Sequence, residues 1–172
     1  MSDMSSDVLK NNLTNPAKSF LWSVYFPTVI GGGSPETLET RCQTTSIPGR
    51  SVGRILIPYK GTAGIVFPGK LNLDHTWDMT FLESAADHKT FDALYGWNQK
   101  VVHVKTGLGG PDIAIKADIY LKCEDQLQNV WLTIKVTGAY PEGIGSVGLS
   151  YANQDEISFD VRWAYDRWEK VE

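Results

Sequence analysis

The sequence predicts a mainly β protein with one helix. The expected architecture is two packed antiparallel sheets, or a barrel-like sandwich, flanked by the helix and bearing a long projecting hairpin. Three observations predict it. Five segments alternate apolar and polar residues at period two, as strands with one face on a core do. A single segment, Ser84 to Asn98, switches to spacings of three and four. Between Ile47 and Lys70, eight Gly and Pro residues surround two short β-prone stretches, Arg54 to Tyr59 and Ala63 to Phe67, which is how a hairpin leaving the body reads.

The chain divides into an N-terminal arm, residues 1–17, and a single domain, residues 18–172, large enough at 42% hydrophobic content to bury one core. The arm is polar, carries Asp3 and Asp7 and has no apolar h-region, which argues against a secretory signal and for synthesis and residence in the cytoplasm. Phe20, Trp22, Val24 and Phe26 form the first strand face. Pro27 to Thr37, with Gly31, Gly32 and Gly33, reads as a mobile connection. In the hairpin, Ile65, Val66 and Phe67 are assigned to the tip, where apolar side chains either mark an interface or fold back onto the core. Leu71, Leu73, Trp77, Met79 and Phe81 form the next apolar face, opposite Asn72, Asp74, Thr76, Asp78 and Thr80, with only His75 interrupting.

In the helical segment Phe91, Leu94, Tyr95 and Trp97 share a face, and Ser84 with Asp87 resembles a capping box with Asp in place of Glu. The pattern fades after Gly96 into the β-prone run Val101 to Val104. Ile113, Ile115, Ala117, Ile119, Leu121 and Cys123 then alternate with polar residues, followed by Val130, Leu132, Ile134 and Val136. The short polar link Asp125 to Asn129 makes the two an antiparallel hairpin. Ile157, Phe159, Val161, Trp163 and Tyr165 form the last strand face.

Composition excludes several functions. The net charge is −4 and no run of five Lys or Arg occurs, so stable nucleic-acid binding is not expected. The longest apolar stretches, such as Ser19 to Phe26, fall short of the roughly 20 residues a membrane span needs. Cys42 and Cys123 lie in strand-like segments and read as buried free thiols rather than a disulfide. His75, His88 and His103 have no partner at a metal-ligand spacing. Gly107, Gly109 and Gly110 precede Pro111 and a strand, whereas a phosphate cradle requires a helix N-terminus there.

Asp74 and Asp78 bring two carboxylates to one strand face, but nothing catalytic converges on them, so a solvated sheet face is the reading. No catalytic, cofactor or metal site is expected, and the chain is read as a structural protein and not an enzyme. Trp22, Trp77 and Trp163 are in phase with core residues. Trp131 is out of phase and Trp168 lies near the C-terminus, so both are expected to be exposed on a lone subunit and to anchor contacts in an oligomer. A Trp-bearing β-sandwich that binds carbohydrate is the alternative from another class.

The order of these elements carries a resemblance. Arg41 to Pro48, the long hairpin, Thr76 to Phe81 and the helix resemble the tail tube proteins of contractile-tailed bacteriophages and the related type VI secretion tubes. So do Val136 to Pro141, Leu149 to Tyr151, Glu156 to Val161 and the ending Asp166-Arg167-Trp168. The similarity runs from about residue 18 to 169, and departs from shorter relatives in the Gly-rich loop at 31–37 and the extended arm.

The resemblance implies hexameric rings stacked into a tube inside a contractile sheath, with neighbouring subunits completing an inner barrel. The chain would then be a tail component of the virion, assembled in the host cytoplasm. Its implied partners are itself, the sheath, baseplate and tail-terminator proteins, and a tape measure protein in the lumen. DNA would pass only in transit, and no membrane insertion is implied. A tailocin or type VI secretion tube, which carries no genome, is the alternative within the class.

Arg54, Tyr59, Lys60, Ile65, Val66, Phe67, Trp131 and Trp168 are the candidate contacts between subunits and rings. Asp74, Asp78, Asp118 and Lys122 are the candidates for the lumen. Six subunits at −4 carry about −24 per ring, a bias that would repel phosphate.

Overall fold

The arrangement of the core follows from one long strand shared by two leaves of a curled sheet. The computed structural model describes residues 10, 12, 13 and 15–172, so the N-terminal arm lies largely outside the described residues. In chain order the elements are β1 (Trp22–Tyr25), α1 (Pro35–Arg41), β2 (Cys42–Thr44), β3 (Ser51–Ile57), β4 (Ile65–Asn72) and β5 (Thr76–Leu82). They continue with α2 (Lys89–Val101), α3 (Asp112–Ile115), β6 (Ala117–Glu124), β7 (Val130–Ile144), β8 (Ser158–Ala164) and β9 (Arg167–Val171).

Seven strands form one antiparallel sheet in the order β1-β6-β7-β8-β5-β2, with β9 also on β7; β3 and β4 form a separate ribbon. The first half of β7 pairs β6 on one side and β9 on the other, Val136 facing both Ile119 and Trp168. Its second half pairs β8, Tyr140 facing Ala164. Between the halves sits Gly138 at φ +70, where an added Cβ would collide with the Asp166 carboxylate. Only glycine adopts that backbone cheaply, so this residue sets the bend that turns one sheet into two facing leaves.

The core fills the space between the leaves. Ile119, Leu121, Ile134 and Val136 come from one leaf, and Trp77, Met79, Phe81, Val161 and Trp163 from the other. Helix α2 closes the side with Ala93, Leu94 and Trp97, and α1 adds Leu38. Trp97 meets Trp163 edge-on at 5.2 Å between ring centroids and donates its indole N–H to the Ile115 carbonyl at 2.7 Å. A buried indole needs such an acceptor, and each large side chain buried here contributes on the order of 3 kcal/mol.

The mainly β class with a flanking helix is the one the sequence predicts, but several details differ. Helix α2 starts at Lys89 rather than Ser84, because Ser84 to Asp87 forms a separate turn in which Ser84 O accepts the His88 N–H at 2.9 Å. The expected capping box does not form. The Asp87 carboxylate is held by Arg41, and Glu83 instead accepts the Phe91 N–H at 2.7 Å, placing a charge at the helix N-terminus. The helix also runs through Val101, into the stretch expected to be β-prone. Phe91 and Tyr95 lie on its exposed side, stacked at 5.5 Å, while Leu94 and Trp97 face the core.

The Gly-rich segment at 31–33 is not a loose connection. A Cβ on Gly31 would lie 2.6 Å from the Gly96 carbonyl carbon, and one on Gly33 2.5 Å from the Ala93 Cβ, so the loop lies flat against α2 through its missing side chains. It leads into α1, a helix with Ser34 at its N-cap and Pro35 at its first position, where the pattern reads a connection through Thr37. Phe20 and Ile113 are exposed rather than in the core, Ile113 because residues 112–115 coil into α3 before β6 begins. Leu71 belongs to the ribbon, not to the Trp77 face: the chain breaks at His75, whose φ of 57 ends the alternation. Cys42 and Cys123 are free, and burial pushes the Cys42 thiol up to about 12.

Candidate functional site

The β3–β4 ribbon forms because apolar, β-prone residues at 55–57 and 65–67 flank a tight turn. At its tip Lys60 and Gly61 both have positive φ, as the hairpin turns that match strand twist require, and Thr62 donates to the Tyr59 carbonyl through both N–H and hydroxyl. The register pairs Ile55 with Phe67 and Ile57 with Ile65 on one face. Arg54 with Pro68, and Leu56 with Val66, occupy the other. All these apolar side chains are about half exposed, from Phe67 at 47% to Leu56 at 58%. Both faces of the ribbon are therefore uncovered, and it does not fold back onto the core.

Ile65, Val66 and Phe67 are not the tip. They lie in the paired ladder of β4, and the turn is formed by residues 58–64. Arg54, Tyr59, Lys60, Ile65, Val66 and Phe67 are brought together on this one ribbon. A two-stranded ribbon is marginal alone in water, and apolar surface on both sides marks it as a surface for a partner.

Its base is fixed by two indoles. Trp77 donates to the Ser46 carbonyl at 2.7 Å and Trp168 to the Gly49 carbonyl at 3.1 Å, on either side of the buried Pro48. Trp168 is thus partly buried against the core rather than free, because β9 pairs it beside Val136. Trp131 is half exposed, donates to the Glu124 carbonyl at 3.2 Å, and borders an apolar groove of about 330 Å³ with Trp22, Leu21 and Ile47. Neither indole lies on the ribbon itself.

The polar candidates are divided. Asp78 accepts from Arg162 at 3.1 Å across β5 and β8, and raises that guanidinium. Asp118 pairs with Lys135 at 3.1 Å and raises it, while Lys122 lies 5.2 Å from the centre of the Tyr25 ring. Asp118 and Lys122 lie on the outer face of the β6 leaf and Asp78 on the outer face of the β5–β8 leaf, on opposite sides of the core. Asp74 belongs to neither face, for it sits in the break between β4 and β5. Among the described residues, no three His, Cys, Asp or Glu side chains group as a metal site, and no helix is long and apolar enough to cross a membrane.

Two further features are set by tertiary contacts. Arg41 gathers Asp87 at 2.8 Å, Glu83 at 3.3 Å and Thr90 at 3.2 Å, tying α1 to the start of α2. Its hydrogen bonds hold the Asp87 carboxyl below the usual carboxylate range. The other is the open loop from Gly145 to Ile157, where Leu149 is 80% exposed and Tyr151 fully so. Ile157, expected on the last strand face, is exposed because β8 begins only at Ser158, and Leu149 and Tyr151 alternate with no strand to bury them. The sheet also ends on strands β1 and β2, whose outer backbone is unpaired among the described residues.

A family model described as phage tail tube protein matches residues 19–171. No curated protein matches the chain in sequence. Among solved structures, the chain is similar to one from the sheath-tube complex of an extracellular contractile injection system, PVC, in its extended state. The identity is 14%, the TM-score 0.63, and 98% of each chain is covered. It is also similar to a chain of the anti-feeding prophage cap, at 15% identity and TM-score 0.64 over 91% of each chain. A type six secretion system protein matches at 13% identity and TM-score 0.52, over 88% of this chain and 83% of that one.

Proposed function

The chain belongs to the phage tail tube protein family, and from that premise we propose that it is a structural subunit whose copies close into hexameric rings and stack as a hollow tube within a contractile sheath. The observation that carries this reading is the β3–β4 ribbon, apolar on both faces and covered on neither, projecting from a body whose own core is complete. Stacking supplies the cover, and ring closure supplies partners for the edge strands β1 and β2. Arg54, Tyr59, Lys60, Ile65, Val66 and Phe67 then make contacts between subunits. Trp168 positions the ribbon and Trp131 contributes a separate contact beside it.

The partners are further copies of the chain, sheath, baseplate and terminator proteins, and a tape measure protein in the lumen; relatives of this fold come from a sheath-tube complex and a tube terminating cap. The outer face of the β6 leaf, with Asp118 and Lys122, lines the conduit, Asp78 lies on the outer face of the other leaf and Asp74 beside it at the break before β5, and DNA passes through in the virion tail without specific binding. Assembly takes place in the host cytoplasm, and no chemistry is assigned to the chain. The similarity to an extracellular injection system favours a second reading, in which the same tube carries a cargo other than a genome.

Negative-stain microscopy of the purified protein tests the proposal. Rings or tubes are expected from the intact chain. A variant with residues 51–72 replaced by a short Gly-Ser link is expected to keep its β-type circular dichroism and lose tubes. An intact protein that stays a lone subunit at high concentration, even with baseplate added, would overturn it.

A further inference from the structure

The ribbon and the Gly145–Ile157 loop have opposite charge. From Arg50 to Asn72 the chain holds Arg50, Arg54, Lys60 and Lys70 and no acid. The chain as a whole is −4, so the rest carries −8. From Gly145 to Val161 it holds Asp155, Glu156 and Asp160 and no Lys or Arg. Among the described residues, none of these seven side chains is in an ion pair. The loop frames a recess of about 700 Å³ bordered by all three acids together with Leu149, Tyr151 and Ile157. One surface is cationic and apolar, the other anionic and apolar; Asp160 accepts from the Thr80 hydroxyl at 2.9 Å, but among the described residues no opposite charge of the same chain neutralises either surface.

We propose that the β3–β4 ribbon of one subunit docks on the Gly145–Ile157 loop of a neighbouring copy. This rests on the tube reading above and names the acceptor surface within it. Two different surfaces of one chain meet head to tail, so the contact repeats from copy to copy instead of ending in a dimer. Apolar contact supplies area, while the unpaired charges set register and reject a ribbon that meets another ribbon. The loop's openness is part of the same arrangement, since Tyr151 and Leu149 gain cover when the ribbon arrives.

Charge exchange between two variants tests it. One carries Arg50→Glu, Arg54→Glu and Lys70→Glu; the other carries Asp155→Lys and Glu156→Lys. All five positions are exposed, so both variants are expected to keep the wild-type circular dichroism. Each alone has like charges at the proposed contact and is expected to need roughly tenfold more protein to assemble. Mixed, each variant offers what the other lacks, and assembly is expected to return towards wild type.

A mixture no better than its components, or a loop variant that assembles like wild type, overturns the contact while leaving the tube intact. Wild-type protein that forms no tubes overturns the tube reading itself. Wild-type protein that sediments with anionic phosphatidylglycerol vesicles, and whose mixed variants show no recovery, makes the ribbon a membrane-surface element and overturns the contact as well.

Discussion

At the scale of single residues, two positions carry effects well beyond their size. Gly138 combines φ +70 with a carboxylate packed where its Cβ would be. Replacing it by Ala incurs left-handed strain and displaces Asp166, which also pairs with Lys116 at 3.0 Å. The Gly138→Ala protein is expected to lose about 2 kcal/mol or more in urea unfolding, against little change for Gly148→Ala, where nothing lies near. Asp87 acts through charge. Its folded pKa is depressed by Arg41, so its contribution to stability is present above the unfolded value of about 3.9 and is lost as pH falls through the lower folded value. Asp87→Asn should therefore be less stable than wild type at pH 7, and the gap should narrow as the pH is lowered below about 4. A gap that persists unchanged into acid would assign the effect to lost hydrogen bonds alone.

At the scale of elements, the ribbon and α2 contrast in how they are held. Helix α2 is fixed by Leu94 and Trp97 in the core, by Gly31 against Gly96, and by Glu83 at the Phe91 amide. Among the described residues the ribbon is fixed at its base alone, by Trp77 to Ser46 and Trp168 to Gly49. Removing the ribbon therefore takes nothing from the core, which is why the ribbonless variant should fold. Truncating Leu94 to Ala in the intact chain is expected to cost about 3 kcal/mol in the same urea assay. Pattern alone placed both elements. It set the wrong first turn on α2 because the Ser84–Asp87 motif was drawn into the contacts of Arg41, a residue more than forty positions away. It set the tip wrongly because the apolar residues 65–67 pair back along β3, which only register reveals.

At the scale of the whole molecule, β7 joins the two leaves into one unit. Its first half completes the β6 side and its second half the β8 side, and the core residues of both leaves touch one another. Neither leaf can open without exposing the other's apolar face. Unfolding followed by tryptophan fluorescence and by far-UV circular dichroism is accordingly expected to coincide in a single transition. Two separated midpoints would show that the leaves are independent. The closed interior leaves the ribbon, the 145–157 loop and the edge strands as the uncovered surfaces, and so separates the residues that hold the fold from those the proposed assembly uses.

Local pattern by itself determined the strands and the β6–β7 hairpin through alternation at period two, the single long helix through spacings of three and four, and the projecting ribbon through its Gly and Pro residues, because side-chain period and turn chemistry follow directly from local backbone geometry. It also marked Trp131 as lacking cover, since its phase conflicts with burial, while for the ribbon's apolar residues it left cover by the core and exposure both open. Tertiary structure alone decided that Trp168 tethers the ribbon, that Gly31 and Gly33 are packing surfaces, that Asp87 serves Arg41, and that the acids of the 145–157 loop stand unpaired. Each of these depends on what lies across space from a residue, and neither period nor spacing in one chain records that.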